Sequence, residues 1–186
     1  HFVTEENSAG RLGRATGRVA VTSLRTPQED ARWKGVPSVT GTIESKYIFN
    51  VLLGSTLVPF RLLKPWRAVL PISKGELLTP TEIKNRADSL TARWAETTEV
   101  WERHKARSSK LSNMSNLDYQ GKLSRQLDPP KHRVLYAKAG TRIAAARTEN
   151  PRYIIDHKLY WLPAANRDEA RYLVAILNSP QMSEAV

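Results

Sequence analysis

RVLYAKAGTRIAAAR, residues 133–147, contains two short stretches of alternating side chains on either side of Gly140. Strands show this two-residue period because successive side chains point to opposite faces of a sheet. A glycine between two such stretches favours a turn. These residues therefore predict a β-hairpin with strands at 133–138 and 141–147.

A strand and a helix are predicted beyond the hairpin. RYIIDHKLYWLP, residues 152–163, is rich in β-branched and aromatic residues and predicts a strand. Residues 166–169, Asn-Arg-Asp-Glu, form a capping box that predicts the start of a helix. That helix is expected to end at residues 178–180, Asn-Ser-Pro.

The segments before the hairpin mix both element types. Residues 18–24 alternate as a strand does, and residues 58–73 hold apolar runs broken by prolines, which predict short strands with turns. Helical spacing predicts short helices at 44–54 and at 117–126. Because strands and helices do not alternate regularly, the predicted fold class is α+β.

The longest predicted element is a helix over residues 79–107. Thr79, Pro80 and Glu82 form a capping box with proline at the first helical position. Its apolar seam consists of Ile83, Ala87, Leu90, Trp94, Thr97 and Trp101. We expect this seam to pack within its own domain, with docking on a partner protein as the alternative.

Charge is the most informative part of the composition. The chain has 186 residues and a net charge of +11, and residues 101–158 hold thirteen basic and five acidic residues. A focused basic excess favours a polyanionic partner, and nucleic acid is the first candidate. The alternative is a basic domain without such a partner.

Residue content also excludes several classes of site. The chain has no cysteine and four well-separated histidines, so no thiolate site, disulfide framework or helical histidine pair is expected. No apolar run approaches the length of a membrane span, and no signal-peptide pattern opens the chain. We therefore expect no membrane partner, no metal site and a cytoplasmic location.

Asp128, Pro129 and Pro130 resemble part of the catalytic loop of amino-methylating DNA methyltransferases, but the next residue is Lys131. That loop needs an aromatic ring to stack on the extruded base. No glycine-rich turn suited to S-adenosylmethionine is present either. We therefore expect these residues to be a proline-stiffened stop, and the fragment to hold no catalytic residue and no cofactor.

A second catalytic possibility is metal-dependent DNA cleavage. Nuclease sites combine carboxylates with a lysine on neighbouring strands. Asp156 and Lys158 have this spacing and are predicted to share one face of the strand at 152–163. Such triplets are common by chance, so a nuclease fragment is kept as an alternative.

Basic and aromatic residues interleave between Tyr119 and Lys158, near predicted turns and strand ends. Such side chains can neutralise phosphates or contact base edges in the major groove. The predicted DNA-binding residues are Lys122, Arg125, Lys131, His132, Arg133, Lys138, Arg142, Arg147 and Lys158. We expect the double change of Arg142 and Arg147 to Ala to weaken binding.

Several blocks of the chain resemble one protein family. WKGVPSVTGTIES, YIFNVLLGSTLVPFRLL, LDYQGKLSRQ, RVLYAKAGTRIAAAR, YIIDHKLYWLP and DEARYLVAILNSP are similar to successive blocks of large adenine-specific DNA methyltransferases of restriction–modification systems. The resemblance covers residues 33–180. It is to the C-terminal target-recognition region, which in that family contacts the DNA major groove.

The resemblance implies recognition without chemistry in this fragment. An upstream catalytic domain of the same chain would hold S-adenosylmethionine and partner this region. Residues 1–32 would be a polar linker from that domain, 33–180 the target-recognition domain, and 181–186 the start of a tail. The expected partner is duplex DNA; a nuclease or protein-docking module of the same complex remains the alternative.

Overall fold

A computed structural model describes residues 3–6, 17–24, 33, 35–137 and 143–184. The chain divides into two compact units: unit 1 comprises His1–Phe49 and Arg67–Leu127, and unit 2 comprises Asn50–Trp66 and Asp128–Val186. The fold is α+β, as predicted.

The described elements are named in chain order. The strands are β1 Val3–Glu6, β2 Arg18–Ser23, β3 Thr40–Glu44, β4 Ile48–Leu52, β5 Leu57–Val58, β6 Arg61–Leu62, β7 Trp66–Val69, β8 Ile72–Ser73, β9 Glu76–Leu77, β10 His132–Ala137, β11 Ala145–Thr148, β12 Tyr153–Ile155 and β13 Leu159–Ala164. The helices are α1 Pro80–Lys84, α2 Ser89–His104, α3 Asn113–Leu117, α4 Arg167–Leu177 and α5 Pro180–Glu184.

In unit 1, strands run in the order β7-β1-β2-β3, each antiparallel to its neighbour. The strand predicted at 18–24 is confirmed as β2. The short strands predicted over 58–73 are confirmed as β5 to β8, of which β5 and β6 belong to unit 2. The core of unit 1 consists of Val21, Ile43, Tyr47, Val69, Leu78, Ile83 and Leu90. It joins the sheet to α1 and α2, because Ile83 and Leu90 come from those helices.

The prediction of one helix over 79–107 is wrong, because the helical conformation is interrupted between Lys84 and Ser89. The start is confirmed: the Thr79 hydroxyl accepts from the Glu82 N–H, and the Glu82 carboxylate accepts from the Thr79 N–H at 2.7 Å. At the break Asp88 is extended, and its carboxylate accepts from the Tyr47 hydroxyl at 2.6 Å. A contact from a distant residue therefore interrupts the helical pattern.

The aromatic seam of α2 packs inside unit 1, as expected. Trp94 lies against the core, and Trp101 stacks on Trp33 with ring centroids 5.6 Å apart. The Trp101 indole also donates to the Leu111 carbonyl at 3.0 Å. These contacts occupy the seam and argue against its use as a docking surface.

Two predicted short helices are wrong. Residues 44–54 form a 3₁₀ turn at Ser45–Tyr47 followed by β4, whose residues 50–52 pair in parallel with β12 in unit 2. Residues 117–126 contain 3₁₀ turns at Tyr119–Gly121 and Ser124–Gln126, because Gln120 and Gly121 both have a positive φ. A left-handed residue cannot continue an α-helix.

In unit 2, an antiparallel sheet has the strand order β11-β10-β13. The pairing of β10 with β11 confirms the predicted hairpin strands, whereas Gly140 lies outside the described residues. The single strand predicted at 152–163 is wrong: β12 and β13 are separate, with Asp156, His157 and Lys158 in the turn between them.

The two faces of this sheet contact different elements. One face joins a core of Leu52, Leu57, Leu135, Ala146, Ile155 and Leu159. The other face packs on α4 through Val134, Ala164, Ala170 and Val174. The predicted start of α4 is confirmed, since Asn166 Oδ1 accepts from the N–H groups of Asp168 and Glu169 at 3.0 and 2.9 Å.

Candidate nucleic-acid interface

The predicted DNA-binding residues fall in both units. Lys122 and Arg125 belong to unit 1, and the remaining described ones belong to unit 2. Lys138 and Arg142 lie outside the described residues, so the predicted effect of the Arg142 and Arg147 double change stays a prediction.

Glu149 gathers two arginines at one end of the unit 2 sheet. Its carboxylate accepts a bidentate pair of hydrogen bonds from Arg167, from Nε and Nη2, both at 3.0 Å. It also accepts from Arg147 Nη1 at 2.7 Å. The Arg167 hydrogen bonds are the first cause of a lowered pKa at Glu149, and the same contact raises the pKa of Arg167. We call Arg147, Glu149 and Arg167 the arginine cluster.

Local structure explains why these three residues meet. Arg147 lies in β11, opposite Val134 on the sheet face that packs on α4. Arg167 is the first residue of α4, which crosses that same face. Glu149 follows β11 immediately, so its carboxylate lies between the strand and the helix start.

His132 and Lys131 lie beside the arginine cluster at the start of β10. The His132 ring is mostly buried, with Nδ1 3.8 Å from a Glu149 carboxylate oxygen. This nitrogen makes no hydrogen bond to any described residue. Lys131 is exposed. His132 therefore borders the arginine cluster, whereas the exposed side chain of Lys131 is accessible to a ligand.

Arg133 is buried, with 1% of its surface exposed, so its predicted contact with DNA is wrong for this fold. Its Nη2 donates to the carbonyls of Asn150 and Tyr153, at 2.7 and 3.2 Å. The guanidinium carbon lies 5.8 Å from the Trp161 ring centroid. Burial lowers the pKa of Arg133. Arg133 thus holds the turn between β11 and β12 in place.

Lys158 is exposed in the turn between β12 and β13. Its backbone N–H donates to Asp156 at 3.1 Å, and His157 lies 3.0 Å from the same carboxylate. Burial alone would raise the pKa of Asp156, but the hydrogen bonds from His157 and the Lys158 backbone outweigh it, and the pKa is lowered. The predicted shared strand face of Asp156 and Lys158 is wrong, because both lie in this turn.

Unit 1 presents a smaller basic and aromatic group. Lys122 lies over the Tyr119 ring, with Nζ 5.8 Å from its centroid, and Tyr119 is 48% exposed. Arg125 is exposed on the following 3₁₀ turn. Asp118 shapes this segment, since its carboxylate accepts from the N–H groups of Leu123 and Ser124, both at 2.9 Å.

Arg167 and Glu149 were missed by reasoning from the sequence. Arg167 belongs to a capping box, which points to helix initiation and carries no signal for a contact with a residue 18 positions earlier. Glu149 is an isolated acid in a basic segment. Only the packing of α4 on the sheet brings the two together.

The prolines at 129 and 130 lie between the last 3₁₀ turn of unit 1 and β10 of unit 2. This position agrees with the proline-stiffened stop expected there.

Within the described ranges, no three histidine, aspartate or glutamate side chains group as a metal site requires. None of the described helices is long and apolar enough to cross a bilayer.

No protein-family model, curated protein or solved structure matches the chain.

Proposed function

We propose that this chain binds duplex DNA and selects its target sequence, as the target-recognition part of a restriction–modification adenine-specific DNA methyltransferase. The observation that supports DNA binding is the arginine cluster, in which one carboxylate orients two arginines near exposed Lys131. The family assignment derives from the sequence blocks quoted above. Methyl transfer and S-adenosylmethionine belong to the upstream catalytic domain, and the complete enzyme acts in the cytoplasm.

The geometry of the arginine cluster suits a polyanion. A guanidinium has five N–H donors, and Arg167 uses two of them on Glu149 while Arg147 uses one. The remaining donors match the bidentate acceptors of a phosphate or a guanine edge. Because Glu149 already orders both side chains, less conformational entropy is lost when DNA binds.

Exposed basic side chains supply the second part of the proposed interface. Lys131 and Lys158 would neutralise phosphates in unit 2, and Lys122 and Arg125 would do so in unit 1. Such contacts set register along the duplex, whereas arginines that reach base edges carry sequence information. Arg133 has no part in this interface, because it is buried.

Fluorescence anisotropy on random duplex DNA across a salt series tests the proposal. We expect log affinity to fall linearly with log salt concentration, and the double variant R147A/R167A to bind more weakly with a slope reduced by about two contacts. The matched control is R103A, which removes an exposed arginine paired with Glu99 in unit 1. It should change affinity little.

The triple variant R147A/R167A/E149Q separates two causes of weaker binding. The double variant leaves the Glu149 charge without its partners, whereas the triple variant removes that charge as well. If the triple variant regains wild-type affinity, the arginines make no DNA contact. A double variant that behaves like R103A would also contradict the proposed interface.

A further inference from the structure

Phe60 is an exposed aromatic residue at the tip of the β5–β6 hairpin in unit 2. Its side chain is 64% exposed. Unlike tyrosine or tryptophan, phenylalanine has no polar group that benefits from contact with water. A ligand that covers the Phe60 ring would bury apolar surface that water now contacts.

The backbone at Phe60 is strained. Its φ is +64°, a left-handed conformation that a bulky residue rarely adopts. Proline at position 59 followed by a positive φ is the pattern of a type II turn, where glycine or asparagine is preferred at the second central position. Strain of this kind persists only where the surroundings hold it, and it is concentrated at functional sites.

Several hydrogen bonds hold the tip in place. The Phe60 N–H donates to the Ala145 carbonyl at 2.8 Å, which ties the turn to β11. The Leu63 N–H donates to the Thr56 carbonyl at 2.8 Å, and the Thr56 hydroxyl donates to the Leu53 carbonyl at 2.7 Å. The ring is thus presented on a rigid support.

The charge around the tip favours a polyanion. Arg61 and Lys64 are both exposed, and residues 50–66 contain no acidic residue. Neither side chain is in an ion pair with any residue that the structure describes. Proteins that bind single-stranded nucleic acid combine an aromatic ring that stacks on bases with cations that hold phosphates. On a duplex, an exposed apolar ring can reach base faces by inserting between adjacent base pairs.

We propose that Phe60 inserts between two adjacent base pairs of the bound duplex and stacks on the bases it separates, while Arg61 and Lys64 hold flanking phosphates. This inference rests on the proposed DNA-binding function and adds a second contact type to it. Lys158 lies at the same end of the unit 2 sheet, because Leu159 pairs with Ala137 and Ala145 pairs with Tyr136. The tip and Lys158 would therefore extend the interface beyond the arginine cluster.

The test uses the full chain and a short duplex in which one adenine is replaced by 2-aminopurine, a fluorescent base that reports stacking. F60N should weaken binding about tenfold and abolish the fluorescence change that wild-type protein produces. The salt slope should not change, because phenylalanine neutralises no phosphate. F60W should retain both the affinity and the fluorescence change.

Two controls make the outcome specific. The melting temperature of F60N should equal or exceed that of the wild type, since asparagine adopts the left-handed region more readily. R61A/K64A should lower the salt slope by about two contacts, unlike F60N.

If the wild type binds duplex DNA and F60N binds it with the same affinity and fluorescence change, the stacking inference alone is overturned. The tip would then contact another partner, such as a protein. Absence of duplex binding by the wild type at low salt would overturn the proposed function, and this inference with it.

Discussion

Asn178 satisfies both backbone groups of Ala145. Its Oδ1 accepts from the Ala145 N–H at 3.0 Å, and its Nδ2 donates to the Ala145 carbonyl at 2.9 Å and to the Val174 carbonyl at 2.7 Å. Since β11 pairs only with β10 within its three-stranded sheet, Ala145 lies on an edge. The end of α4 thus covers that edge, and the Ala145 carbonyl also anchors Phe60.

N178A should therefore destabilise the protein by about 2 kcal/mol, because three hydrogen bonds are lost and the partly buried Ala145 N–H is left without its partner. Urea denaturation measures the change as a shift of the midpoint. The matched control is N116A, which changes an exposed asparagine in α3. Equal midpoints for the two variants would show that the Asn178 contacts contribute no stability.

R133A should destabilise the protein by about 2–4 kcal/mol. The change leaves a cavity and removes the donor for the Asn150 and Tyr153 carbonyls. R152A is the control, because Arg152 is exposed on the same turn and should cost less than about 0.5 kcal/mol. If both variants unfold at the same urea concentration, the buried arginine has no structural role.

E149Q should raise the affinity for random duplex DNA and steepen its salt dependence. The substitution removes the negative charge between Arg147 and Arg167 and adds one net positive charge to the arginine cluster. The same variant should be slightly less stable, because two charge-assisted hydrogen-bonding contacts are weakened. Anisotropy titrations across a salt series measure both quantities, and a salt dependence no steeper than that of the wild type would contradict the proposed interface.

Y47F should lower the free energy of unfolding by about 2 kcal/mol at neutral pH, because the hydrogen bond to the Asp88 carboxylate is lost. Burial and that hydrogen bond raise the pKa of Tyr47 to about 12, from 10.0. Above pH 10 the unfolded chain loses this proton while the folded protein keeps it, so unfolding becomes more favourable.

The stability difference between wild type and Y47F should therefore be constant below pH 10 and shrink between pH 10 and 12. Urea denaturation of both proteins at several pH values measures it. A difference that does not change across this range would show that Tyr47 titrates normally.

Elements with a local cause were predictable from sequence. The side chains of Thr79 and Asn166 accept hydrogen bonds from backbone N–H groups within three residues, so these two helix starts can be predicted from a short stretch of sequence. The alternation in 133–147 likewise predicted strands that pair across a short connection. The basic balance of the chain also follows from composition alone.

The candidate site was predictable only in part. Arg147 and the exposed lysines were expected from charge and turn placement, whereas Arg133 carries the same charge and is buried. No local pattern distinguishes Arg133 from Arg147. Arg147 pairs with Val134 and shares its face of the sheet, whereas Arg133, the neighbour of Val134, points to the opposite face. The residues that contact each face come from distant segments of the chain.

By itself, the sequence determined the fold class, the charge and the two helix starts after Thr79 and Asn166, because these depend on composition or on neighbours within a turn. Tertiary structure decided the rest. Pairing with β12 made residues 50–52 a strand despite their helical spacing, and Tyr47 engages Asp88 where the predicted long helix breaks. Packing of α4 on the sheet placed Arg167 beside Glu149. Contacts between residues far apart in the chain outweigh local preference when they bury apolar surface and satisfy polar groups together.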